Sequence, residues 1–318
     1  MKRFSIGASI GDGFGLITGR PLSVFVWGLL LLAPTFASVA LILPSMGEMF
    51  AAMAAADAAA TTDGAVNNQM FAAMMQFQLA SMLLNIGQLV IMAIVYTAIF
   101  RAVLRPTERG LFSLRLGMDE VRVAVVGLAI GVVLYIAVIV LALIGAAFIF
   151  ALWSTDSTLG ALALGLYVLL ALVGICWAMA RVSMMAPASV LYRDFAFAGG
   201  WRLASGKAWP LFGMMVLIVL IIMAIEVVLI LVGMLVFSGV WATMGSAMIA
   251  DANPFPGLTD WLGANWYWVA VAALIGSFFY GAVLALGIAP FASACRQLAD
   301  SDRSEAAPVE TGSPLPAQ

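Results

Sequence analysis

Glu226, in the run VLIIMAIEVVLILVG, is the one acidic or basic residue set well inside a long apolar stretch of this chain. A carboxyl group there could relay a proton or hold a cation; it could also be a neutral acid, hydrogen-bonded to a neighbour, that fixes helix packing. Ionised at the centre of a bilayer it would cost about 2.5 kcal/mol or more, so it needs a partner or a wet cavity. Counting about 1.5 Å per helical residue, Gln88 and Ser277 lie at a comparable depth, and either could bond to it. With Asn85 and Tyr96, Gln88 forms a thin polar stripe. A transport pathway would therefore use Glu226, Gln88 and Tyr96. The absence of an arginine, a histidine or a second acid at that depth favours the packing role.

Other chemistry fails for want of parts. The chain has no histidine to act as a base, and no Ser or Cys has an activating partner in sequence. Cys176 and Cys295 fall within or at the end of apolar runs and suggest neither a disulfide nor a metal site. Met46, Met49, Met53, Met70, Met74 and Met75 could offer thioethers to Cu(I), but the Ala-rich setting SMGEMFAAMAAADAAATTDGAVNNQMFAAMMQFQLA reads as an amphipathic loop helix. GDGFG, Gly11 to Gly15, follows no strand and is no nucleotide loop. GLAIG, Gly127 to Gly131, is a small-xxx-small packing motif. The acidic pair Asp119-Glu120 is accounted for by Arg115 and Arg122 at helical ion-pair spacing. No catalytic residue, cofactor or metal ligand is expected, and the chain reads as a non-enzyme.

The elements that must position these residues are membrane helices. A mean hydropathy of +1.12, with 64% hydrophobic and 9% charged residues, excludes an ordinary soluble domain. Six segments are each long enough to cross a hydrocarbon layer of about 30 Å: Leu22 to Leu43, Leu79 to Leu104, Val123 to Leu152, Gly160 to Met184, Pro210 to Phe237 and Trp266 to Cys295. Lacking the alternation of barrel strands, they imply an all-α integral membrane protein built as three helical hairpins. All 14 Lys and Arg residues fall on one side of this arrangement, while Glu48, Asp57, Asp63, Asp156, Asp251 and Asp260 lie opposite. The positive-inside rule then puts both termini in the cytoplasm of a bacterial cell, with the spans in its inner membrane. The start MKRFSIGASIGDGFG is too broken by Gly and Asp for a cleaved signal. Residues 1–298 form the membrane domain; residues 299–318, rich in Pro, Ser and acids, read as a disordered cytoplasmic tail.

Three short stretches repeat the pattern aromatic-x-Leu-x-x-Gly: FGLITG from Phe14, FSLRLG from Phe112 and WRLASG from Trp201. Each precedes an outward span. On the return spans Tyr96, Trp177 and Tyr280 each stand ten residues before a proline, Pro106, Pro187 or Pro290. The lead-ins read as interfacial helices, so that Arg20, Arg115, Trp201, Arg202 and Lys207 form a collar at the lipid headgroups. The implied partners are membrane lipids, anionic ones above all; nucleic acid is not expected, and a protein partner or homo-oligomer is left open.

On YTAIFRAVLRPTERGLFSLRLGMDE and APASVLYRDFAFAGGWRLASGKAWPLFG the chain resembles bacterial six-span inner-membrane proteins, including the membrane domain attached to some glycerophosphoryl diester phosphodiesterases. The resemblance loosely covers residues 1–300 and implies the same six-span fold. The catalytic domain of that family is a separate soluble barrel with no counterpart in these residues, so no activity and no catalytic residue carries over. The expectation is a non-enzymatic, structural, lipid-associated or accessory membrane protein, with a Glu226-based transporter as the alternative.

Overall fold

The computed structural model describes residues 4–59, 64–108, 111–153, 157–249 and 254–306. Its helices are α1 (Ile6–Gly19), α2 (Pro21–Ala59), α3 (Gly64–Leu104), α4 (Met118–Trp153), α5 (Ser157–Val182), α6 (Met185–Tyr192), α7 (Phe197–Leu203), α8 (Ala208–Val236), α9 (Ser238–Ile249), α10 (Pro254–Ala264) and α11 (Trp266–Ala306). Six of them, α2, α3, α4, α5, α8 and α11, are long and apolar enough to cross a membrane, and they coincide with the six expected segments. The fold is that of an all-helical, six-span membrane protein.

Four helices differ from expectation in length or ending. The helices α2 and α3 have 39 and 41 residues, hence about 60 Å each at 1.5 Å per residue, twice the hydrocarbon thickness. The Ala- and Met-rich segment expected to be a separate loop helix is instead a continuation of both. Alanine has the highest helix propensity, and no Pro or Gly interrupts the sequence between Gly47 and Ala59. At the other end of the chain α11 continues to Ala306 and buries Ala299, so the first part of the expected tail is helical. Residues 307–318 lie outside the described residues. Finally, the chain after α5 breaks at Ser183–Met184 before α6. Pro187 has no N–H to offer the Ser183 carbonyl, which is where the break falls.

The lead-ins occupy the expected places with unlike conformations. FGLITG closes α1, and WRLASG runs from α7 to Gly206, whose φ of +71° turns the chain into α8. FSLRLG is not an α-helix: Phe112 and Ser113 are left-handed, at φ +56° and +57°.

One end of the bundle carries every described Lys and Arg, and it also holds the core. Val24, Trp27 and Leu31 of α2, Val95, Ala98 and Ile99 of α3, Leu211 and Met214 of α8 and Ala285, Ala289 and Ala292 of α11 are all buried. Toward the opposite end Leu143, Leu166 and Leu231 are more than half exposed to the surrounding lipid. The helices therefore grip one another through the basic half and offer most of their remaining length to the membrane. Of the hairpin pairs, α2 with α3 and α4 with α5 pack along each other. The third pair touches least: α11 leans on α1 and α2, and α8 on α5. The α2–α11 crossing is tight because Gly28 and Gly281 face each other's helix. A Cβ built on Gly28 would sit 1.7 Å from the Ser277 carbonyl oxygen, and one on Gly281 2.0 Å from that of Val24.

Candidate functional site

The residues first singled out do not form a site. Gln88 Nε2 donates to the Leu31 carbonyl oxygen of α2 at 3.4 Å, and buried Ser277 donates to Ala273 within its own helix at 2.6 Å. Glu226 is exposed on α8, with no hydrogen bond or ion pair among the described residues. The expected bond from Glu226 to Gln88 or Ser277 is thus not made. Ser277 belongs to the α2–α11 crossing, whereas α8 rests on α5, so equal depth in the bilayer does not bring these groups together. Glu226→Gln should shift the detergent-state stability by less than about 0.5 kcal/mol, as for any side chain without partners. A large loss in a thermal melt would show that Glu226 is held by contacts of its own.

Instead, the structure gathers charge at the basic end. Arg101 and Glu120 are 4% and 6% exposed and pair at 2.7 Å. Asp119 receives Arg105 at 3.1 Å and Arg122 at 2.9 Å. Arg105 also donates to the Val190 carbonyl of α6, and Glu108 pairs with Arg193 at 2.6 Å. Arg101, in the last turn of α3, and Arg105, just past its end, stand one turn apart and face the first turn of α4, where two acids also suit the helix dipole. The left-handed turn at Phe112–Ser113 aims its carbonyls inward, toward Trp27 Nε1 at 3.0 Å and Arg101 Nη1 at 2.9 Å. Arg101 Nε and Glu120 Oε2 are enclosed without a hydrogen-bond partner. On the far side Asp12 accepts from Ser293 and Arg296, and Arg296 reaches the Val103 carbonyl. GDGFG is accordingly the middle of α1, and its acid ties that helix to α11.

This cluster corrects the expected pairing of the acids. Arg122 does meet Asp119, but Arg115 is exposed and unpaired among the described residues, because it lies in the non-helical segment before α4. The signal that could have found the true partners was the Arg-x-x-x-Arg spacing at the end of α3 opposite an acidic pair at the start of α4. Of the expected collar, Arg20 is turned inward, bonding to Ser113 Oγ and the Pro106 carbonyl at 3.2 and 3.4 Å. Trp201 is 38% exposed, and Arg202 and Lys207 are exposed with no ion-pair partner among the described residues.

Beside the ionic cluster lies a cavity of about 810 Å³ between α3, α4, α5, α8 and α11. Phe100 and Val123, within one turn of Arg101 and Glu120, border it at the basic end, and Leu89 and Tyr135 reach toward mid-bilayer. Gly127 and Gly131 widen it, since neither has a neighbour where a Cβ would stand. The wall is almost wholly apolar. Its side-chain hydroxyls come from Tyr96, Tyr135 and Ser183, and no acid, base or thiol lines it. Sequence reasoning had placed Tyr96 in a polar pathway and the two glycines at a helix contact; here they face the same apolar space. Among the described residues no group of three or more His, Cys, Asp or Glu side chains could hold a metal ion.

Compared with family models, curated proteins and solved structures, the chain matches none. The chemistry of the cavity must speak for itself.

Proposed function

We propose that this six-span protein is a non-catalytic, lipid-associated component of the bacterial inner membrane, with its basic end in the cytoplasm, and that it takes lipid chains into the lateral cavity. The observation that carries this reading is the cavity: its volume falls within the about 300–1,000 Å³ of small-molecule sites, yet its lining offers hydrocarbon almost alone. Such a wall stabilises an acyl or isoprenoid chain. Its three hydroxyls, of Tyr96, Tyr135 and Ser183, have no acid, base or thiol beside them in the wall to activate them. The cavity's position in the basic half of the bundle, together with the positive-inside rule, supports a place in the cytoplasmic leaflet. Glu226 has no part in this role.

The test is photolabelling of the protein in liposomes with a phospholipid bearing a photoreactive acyl chain, followed by peptide mapping. Adducts should concentrate on cavity-lining residues such as Ala124 and Met179, above those on exposed positions outside it such as Leu162 and Leu231. Uniform labelling over all apolar faces would remove the proposal.

A further inference from the structure

We propose that Arg181 forms the centre of a binding site for the phosphate of an anionic glycerophospholipid, at the junction of α5, α7 and α8. The inference rests on the reading of the protein as lipid-associated but concerns a different place from the lateral cavity. Arg181 ends α5, and its guanidinium lies between two indoles, with Cζ 4.6 Å from the ring centre of Trp201 and 5.3 Å from that of Trp177. The two rings meet edge to face at 6.1 Å. Cation–π contact holds such a group in place without neutralising it. No acid pairs with Arg181 among the described residues, and its Nε is enclosed without a hydrogen-bond partner.

The distribution of charge gathers three unmatched cations at this corner, on α5, on α7 and at the start of α8. Around α3, α4 and α11 the cations Arg101, Arg105, Arg122, Arg193 and Arg296 are matched by acids of the same chain, while Arg20, Arg115 and Arg303 have no acid partner among the described residues. At the α5–α7–α8 junction Arg181, Arg202 and Lys207 are likewise unmatched among the described residues. The acids on neighbouring elements, Asp194 and Asp302, pair with none of them, and Asp194 instead accepts the Phe195 N–H at 2.7 Å. Three uncompensated cations at a membrane interface complement an anion, and a guanidinium fork suits phosphate oxygens.

The ligand is a lipid rather than a free anion because the cage continues into an apolar groove. A second cavity, of about 140 Å³, runs between α5 and α8, lined by Leu172, Cys176, Trp177, Trp209 and Phe212 among others. Trp177 belongs to both, with one ring under Arg181 and in the groove wall. From Arg181 to Leu172 is about 13 Å along α5, which carries an acyl chain well into its leaflet. Trp209, 68% exposed and edge-on to Phe212, flanks the entrance.

Native mass spectrometry of the full-length protein, titrated with dioleoylphosphatidylglycerol and separately with dioleoylphosphatidylcholine, tests the site. The wild type should prefer the anionic lipid. Arg181→Gln should weaken its binding about tenfold, with Arg181→Lys in between, since a point charge replaces the fork. Arg193→Gln, at an exposed cation already matched by Glu108, should change nothing. Should Arg181→Gln fail to fold, the double variant Arg202→Gln/Lys207→Gln, at exposed positions, should by itself lower binding about fivefold. Wild-type binding in either, or an equal loss in Arg193→Gln, overturns the assignment. Displacement of the lipid by excess inorganic phosphate would make this a soluble-anion site and overturn the lipid assignment as well. Gly131→Phe, which adds a phenyl ring to the wall of the lateral cavity, should leave phosphatidylglycerol binding at Arg181 intact, so failure of one site is distinguishable from failure of the other.

Discussion

Replacing Glu120 by alanine should destabilise the protein by about 3–5 kcal/mol, the usual consequence of stripping one partner from a buried ion pair. Arg101 would keep its bond to the Ser113 carbonyl and a contact with Asp119 at 3.7 Å, but would lose the 2.7 Å bond that offsets most of its desolvation. The loss should appear as a large fall in the unfolding midpoint of the detergent-solubilised protein. The double variant Arg101→Met/Glu120→Leu should recover most of it, because the cost lies in the stranded charge rather than in the missing attraction. By contrast Arg193→Ala, whose pair with Glu108 is 64% exposed on the arginine side, should cost no more than about 1 kcal/mol. Equal losses at Glu120 and Arg193 would mean that the cluster at the end of α3 is solvated and holds nothing together.

Gly28→Ala should be nearly as damaging, by about 3 kcal/mol, the upper part of the range for overpacking. The added Cβ would meet the Ser277 carbonyl at 1.7 Å, and that atom belongs to the backbone of α11 and cannot rotate away. To admit one methyl group the two helices must separate along a crossing that also carries Val24 and Gly281. In lipid, where helix association depends on close packing and little hydrophobic drive remains, lost packing is not otherwise replaced. Gly87→Ala, with nothing within 4 Å of the new methyl, supplies the control and should gain slightly from helix propensity. A melt in which both variants behave alike would refute the tight crossing.

Both results depend on features that sequence discloses unequally. The six spans are legible because each carries a hydropathy that only a bilayer rewards. The orientation of the charged residues follows the same logic. The lengths of α2 and α3 are not legible that way: a hydropathy window ends where Ala, Asp and Gln dilute the apolar residues, although Ala-rich sequence goes on being helical. Arg101 was readable as an orientation signal and therefore passed over as a partner for Glu120. Recognising the pair needs the geometry of the α3–α4 hairpin, which puts the last turn of one helix against the first of the next. Glu226 shows the reverse error. Its chemistry made it conspicuous, but depth along a helix does not state azimuth, and α8 turns it away from Gln88 and Ser277. The lateral cavity was hidden for a related reason: when apolar residues face both protein and lipid, no periodicity separates the wall of a cavity from the outside of the bundle.

The most direct measurement compares acyl-chain photolabelling of the wild type and Gly131→Phe in the same liposomes. Gly131 lines the cavity and a Cβ there would meet nothing within 4 Å, so the side chain of a phenylalanine starts into open space. If the cavity holds a lipid chain, labelling of Ala124 and Met179 should fall severalfold in the variant while that of Leu162 and Leu231 stays constant. Unchanged labelling of Ala124 and Met179 in a folded Gly131→Phe protein would contradict the assignment of the cavity to lipid.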